Sequence, residues 1–357
     1  MPLATNLPCR LRQFAMAFTC MIALGLLIPR AAWPQSFKAK DLGPAPSQQI
    51  AAPESLEART QRLNQIFHDY RQDKLAHSPE LASALGDSQY DDQLPDYSAE
   101  AYNDSLARGL AFIERLGAID TAGMSEQEKQ KKRLLVNALV EQQESAPCKP
   151  WQTPFNQSSG IQVDLPLLAE TLTFNSADDY DNYIARLNKV PAAMIQLGTD
   201  LMLGEAAGRT EPQSIMRKVL AQVNALATAK PEDTPFASPL RRFPADISPQ
   251  DRARIRAAML TAIRTNVQPA FAHFAKYLSA QYIPNARVQL EPAAATDGSC
   301  STYLVHTSLT ADVLQLRQEA QTALGDNFNL SAFHTEALDS LALPPDVFRQ
   351  HVETWIK

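Results

Sequence analysis

Six histidines, four cysteines and a few paired carboxylates are the groups in this 357-residue chain that could bind a metal, attack a carbonyl or carry a proton. A zinc site built on one helix needs two histidines three or four apart, because only those spacings bring both rings to one face. His68, His77, His273, His306, His334 and His351 contain no such pair. His334 with Glu336, and His351 with Glu353, are two apart and point to different faces. These histidines are therefore expected to be satisfied or exposed rather than metal-bound. Cys300 stands six residues before His306, a spacing that does not speak for a thiol nucleophile. The run Gly204 to Thr210 approximates a phosphate loop, but its spacer is one residue short and Arg209 replaces the lysine. No strand is evident before it, so a helix end is expected. No G-x-S-x-G elbow is present, and Gly298 to Ser301 reads as a turn. Asp91-Asp92 and Asp178-Asp179 fall at turns or helix starts, where capping explains them. Two polar features remain. Asn156-Gln157, in a proline-flanked connector, has the groups to hydrogen-bond a peptide backbone, and Arg241-Arg242 has those to hold a carboxylate. The alternative role for each is to brace a long loop.

The elements that must position such residues are helical. With 45% apolar residues, the chain can bury a sizeable core. The net charge of −6 is spread out, and the basic cluster Lys129 to Arg133 follows Glu126 and Glu128 on one expected helix, so no nucleic-acid partner is expected. Arg10 and Arg12 precede the uncharged, mostly apolar run Phe14 to Ile28, which has the length of a signal peptide rather than of a comfortable membrane span. The expectation is export to the periplasm or beyond, or anchorage to the inner membrane if this leader is uncleaved. Export leaves Cys148 and Cys300 as the cysteines of the mature chain, either bridged across a long loop or free and buried. Residues 1–36 are thus leader or anchor and 37–55 a linker. Beyond them Leu63, Ile66, Phe67 and Tyr70 mark a buried helical stripe. Ser78-Pro79, Ser98, Ser125, Ser176 and Ser248-Pro249 mark helix starts, and Gly86 a stop. Gly160 to Leu165 has the pattern of a short strand. Pro269 should kink or divide the apolar-periodic stretch from Arg252 to Tyr282. The fold class that follows is mainly α, an irregular multi-helix domain with long proline-rich connectors at Pro150 to Pro166 and Pro231 to Pro244.

Several ordered segments carry a resemblance. Ser78-Pro79-Glu80-Leu81-Ala82, Ala84-Leu85-Gly86-Asp87, Tyr90-Asp91-Asp92 and Leu94-Pro95-Asp96 come first. Pro154-Phe155-Asn156-Gln157, Ser159-Gly160, Asp164-Leu165-Pro166, Asp179-Tyr180, Asn182-Tyr183 and Ala185-Arg186-Leu187 follow, then Pro235-Phe236 and Arg242-Phe243-Pro244. Ala323 to Asp326, Phe328, Phe333-His334, Ala342 to Pro344 and Val352 to Ile356 close the series. Together they resemble the bacterial domain of unknown function 885 family. That resemblance implies part of a helical gluzincin-type zinc peptidase scaffold, with residues 56–312 as its N-terminal helical region and 313–357 as the closing segment of the same domain. Complete members carry H-E-x-x-P-G-H on a metal helix and a further glutamate in a segment like E-G-W-A-L-Y; neither is present here. The missing block falls near Asp312 and Val313. Zinc, expected of the complete family, has no ligands here, so no cofactor is expected. His306, in the stretch Tyr303 to Thr310 that precedes the metal helix, is by resemblance a former cleft position. The expected function is an exported relative of zinc peptidases without hydrolytic activity, either a peptide- or partner-binding module or a defective remnant. The competing reading is a metal-dependent peptidase whose site the sequence does not reveal.

Overall fold

Serines start most of the long helices, each by a local hydrogen bond. Ser98, Ser125, Ser176 and Ser248 accept the backbone N–H three residues on, and Glu128 and Asp179 return the bond to complete capping boxes at Ser125 and Ser176. The computed structural model describes residues 54–288, 309–340, 343 and 345–356. The leader, the linker up to Pro53, Cys300 and His306 lie outside them. The helices are α1 (Leu56–Ala76), α2 (Pro79–Ala84), α3 (Ala99–Gly117), α4 (Glu126–Ser145), α5 (Ile161–Thr171), α6 (Ala177–Ala206), α7 (Gln213–Thr228), α8 (Pro249–Ala262), α9 (Gln268–Tyr277), α10 (Ile283–Asn285), α11 (Leu309–Leu324), α12 (Leu330–Ser340) and α13 (Pro345–Ile356). Among the described residues there is no strand. No helix of them is long and apolar enough to cross a membrane.

Two local expectations are corrected and a third is made specific. Gly160 to Leu165 is not a strand but the entry to α5, which runs on through Pro166. A short apolar run cannot choose between the two periods by itself, and burial of Ile161, Leu165 and Leu168 on one face decides for helix. Ser78 makes no side-chain cap to α2, although Pro79 stands at its start. Around Pro269 the expected interruption of the helix takes the form of a change in helical period. The chain widens into π-turns at Ile263–Val267 and Leu278–Tyr282, on either side of α9. The extra residue in the first turn accommodates the missing proline N–H and the crowding of its ring against the preceding turn.

Glu54–Lys357 forms one compact unit with two apolar clusters. In the smaller, Leu63 and Ile66 of α1 meet Phe112 and Leu116 of α3 and Leu135 and Leu139 of α4. The larger joins α2 to the helices from α5 onward and includes Val313, Leu316, Phe333, Phe348 and Val352 from the last three. The closing segment is therefore docked: α11 packs on α2 and α5, and α13 packs on α11 and α12. Arg349 of α13 donates to Asp312 of α11 at 2.6 Å, fastening the outer side of that pair.

Candidate functional site

Most of the sequence segments that stand out are occupied in holding the fold. Arg186 on α6 is 0% exposed; its Nε donates to the Gln93 carbonyl at 2.7 Å, and its Nη2 donates to Tyr90 O at 2.9 Å and Ser83 Oγ at 2.6 Å. Ser83 in turn donates to Asp91, and Tyr97 donates to the buried Glu80 at 3.0 Å. Burial pushes the Glu80 carboxyl up, and Arg186 works against that rise. The segment from Tyr90 to Tyr97 is thus pinned to α6 from below. Tyr180 and Tyr183, one helical turn apart on α6, do the same for the 3-10 segment Pro235–Arg241: their hydroxyls donate to Arg242 O at 3.1 Å and Phe236 O at 3.3 Å.

The Asn156-Gln157 pair braces a turn. Asn156 accepts from the backbone N–H groups of Ser158 and Ser159 and donates to Ser159 Oγ at 2.7 Å. Gln162 donates to Asn156 O, and Gln222 of α7 to Gln157 O. Gly160, at φ +116, closes this turn; a Cβ there would stand 3.1 Å from Pro154 O. Arg242 lies at the other end of α5, donating to Ala169 O at 3.0 Å, so the two sequence candidates are separated by the length of that helix, about 15 Å. Arg241 is exposed and makes no ion pair or hydrogen bond among the described residues. His306 lies outside the described residues. Cys148 is disulfide-bonded, and the other three cysteines, Cys9, Cys20 and Cys300, fall outside the described residues.

One corner is left unsatisfied, at the C-terminal end of α5. Arg317 of α11 is 8% exposed, and among the described residues its one hydrogen bond is to Thr173 Oγ1 at 3.5 Å. Burial and then the neighbouring Arg242 depress its pKa, and no carboxylate offsets them. Beside it stands His334 of α12, half-buried, with Nε2 out of solvent and without a partner among the described residues. Burial and then Arg317 push the imidazole down, while the Ala84 carbonyl at the end of α2 supports the ring. Gly86 makes room for it: at φ +80 it ends α2, and a Cβ there would fall 2.5 Å from His334 Nδ1. Sequence pattern carried one hint of this corner, since Arg317 sits four residues after Val313 on the apolar stripe of α11, where a charge is out of place. The pairing of His334 with Glu336 does not form. Glu336 binds His351 instead, at 2.6 Å across α12 and α13.

Among the described residues, the zinc that the resemblance implies finds no fitting donor set. Among the described residues no three His, Cys, Asp or Glu side chains converge, and His334 lies beside a guanidinium, which repels a cation. Gly204 to Thr210 is the end of α6 and its turn: a Cβ on Gly204 would stand 2.6 Å from Gln152 O, so this glycine serves close packing rather than a phosphate.

Asp200 of α6 is a second uncompensated group. It is 3% exposed, has no hydrogen-bond partner among the described residues, and burial pushes its carboxyl up to about 7. A carboxyl poised there suits proton transfer, but with no neighbouring base or donor it acts on stability instead. Because the folded chain keeps this proton where the unfolded chain has lost it, the contribution is full below about pH 4 and is lost as pH rises to about 7. Asp200→Asn is expected to leave the unfolding temperature unchanged at pH 4 and to raise it at pH 8, for a gain of up to ~4 kcal/mol. Equal shifts at both pH values would disprove the assignment.

Comparisons with known proteins agree with the helical architecture. A family model described as "Bacterial protein of unknown function (DUF885)" matches residues 79–314, well over half of the chain. Among curated proteins none matches the sequence. Among solved structures, one described as "the putative lipoprotein from Colwellia psychrerythraea" is similar in fold, with a TM-score of 0.59 at 16% identity over 80% of this chain. The chain spans about half of that protein's length, 49%.

Proposed function

We propose that this chain, which belongs to the DUF885 family of bacterial proteins, is an exported peptide-binding module derived from a helical peptidase scaffold and has no hydrolytic activity of its own. The observation that carries the reading is the docking of α11 onto α2 and α5, with α13 packed on α11 and α12, in one continuous core. A chain that spans about half of its structural relative would leave apolar faces in water if the segments covering them there had no substitute here. Here Val313, Leu316 and Phe333 are fully buried, which favours a working module over a defective remnant. Export is supported by the basic and apolar leader, by the disulfide at Cys148, since such bonds persist in oxidising compartments, and by the description of the structural relative as a lipoprotein. The absence of H-E-x-x-H from the sequence, and of any converging donor set among the described residues, speaks against metal-dependent hydrolysis.

The test is to dialyse the purified chain against micromolar zinc, measure bound metal, and incubate it with a mixed peptide library read by mass spectrometry. Far less than one zinc per chain, intact peptides and saturable retention of a subset of them are expected. Stoichiometric zinc with cleavage abolished by a chelator would establish the competing peptidase reading instead.

A further inference from the structure

We infer that Arg317, Arg242 and His334 form a receptor for the C-terminal carboxylate of a bound peptide, an inference that rests on the peptide-binding reading above. The corner has the donors and the charge to hold an anion. A guanidinium carries five N–H donors, and Arg317, nine-tenths buried, uses them for one long bond to the Thr173 hydroxyl. Buried charges are ordinarily paired, and here the charged neighbour is a second arginine. Among the described residues no ion pair reaches Arg317 or Arg242, and three nearby acids have other partners: Asp312 with Arg349 at 2.6 Å, Glu336 with His351 at 2.6 Å, and Glu80 with Tyr97 at 3.0 Å. His334 Nε2 is a further buried polar atom without a partner, and Gly86 is the residue that lets its ring approach. Arg242 is exposed and gives the corner a side open to solvent.

The chemistry favours a carboxylate over a phosphate. Two guanidinium forks match a planar, singly charged group bidentately. The same corner contains the C-terminal carbonyls of α5, one of which, Ala169 O, already accepts from Arg242. Their partial negative charge disfavours a dianion. They also leave acceptors for the N–H groups of a peptide whose last residue enters the corner, which a free small acid would not use.

The experiment compares matched short peptides ending in a free acid or in an amide, binding to the full chain by calorimetry, with acetate and inorganic phosphate as controls. The acid is expected to bind at least about tenfold more tightly than the amide, as for a hydrogen bond to a charged group. Arg317→Met is expected to erase that preference while folding at least as stably as the parent, because it removes an uncompensated buried charge. Should Arg317→Met fail to fold, Arg242→Gln, at an exposed position, is expected to cut the preference at least about threefold. Equal binding of acid and amide would overturn the carboxylate receptor and leave peptide binding standing. Binding of phosphate or acetate without any peptide would overturn the peptide terminus as the occupant, and absence of all binding would overturn both.

Discussion

Replacing Arg186 with methionine is expected to cost about 3–5 kcal/mol, a large part of the stability of a typical domain. The side chain is fully buried, and its removal leaves Gln93 O, Tyr90 O and Ser83 Oγ without their donor and Glu80 without the positive charge that holds its carboxyl down. Methionine fills much of the volume, so the loss reports polar satisfaction rather than a cavity. Urea unfolding against Arg254→Met is the suitable comparison. Arg254 makes a better ion pair by distance, two bonds to Asp181 at 2.7 and 2.9 Å, but at the surface, where such pairs are worth at most about 1 kcal/mol. An Arg186→Met protein within 1 kcal/mol of the parent would mean that the segment from Tyr90 to Tyr97 is held by packing alone.

Phe333→Ala tests whether the closing helices belong to the same cooperative unit. Phe333 of α12 is fully buried, in ring contact with Phe328 and with Trp355 of α13, and lies in the cluster that contains Leu81 and Leu165. The expected cost is about 3–5 kcal/mol, taken from one unfolding transition that moves as a whole. A second, earlier transition with the main one unmoved would mean that α11 to α13 fold apart from the rest. In that case the corner formed by Arg317 and His334 would open before the domain does, and its use as a binding site would require a ligand to close it.

Much of the fold was legible because the deciding interactions are local. The serines that cap α3, α4, α6 and α8 act within three residues, and the stripes Leu63-Ile66 and Ile255-Met259-Ala262 follow from the helical period. The reading failed or stayed open where local signals balance. Gly160 to Leu165 suits strand or helix until its buried face is known, and the interruption expected at Pro269 stays open in form, because what the neighbouring turns pack against decides it.

The candidate site divides in the same way. By itself the sequence determined which chemistries lack their residues: no paired histidines on one helix face, no nucleophile elbow, no complete phosphate loop. It also marked Arg242 as a cation with a carboxylate-binding use and Asn156 as a polar group with two roles. The tertiary structure decided between those roles. Asn156 spends its hydrogen bonds inside its own turn, whereas Arg242 meets an arginine that is 75 residues later in the chain. That Arg317 has no acidic partner and His334 Nε2 no hydrogen bond among the described residues is a statement about everything packed around them, α2, α5, α11, α12 and α13 together. Caps and stripes are fixed by neighbours along the chain; an uncompensated buried charge exists only once distant helices have closed over it and excluded water.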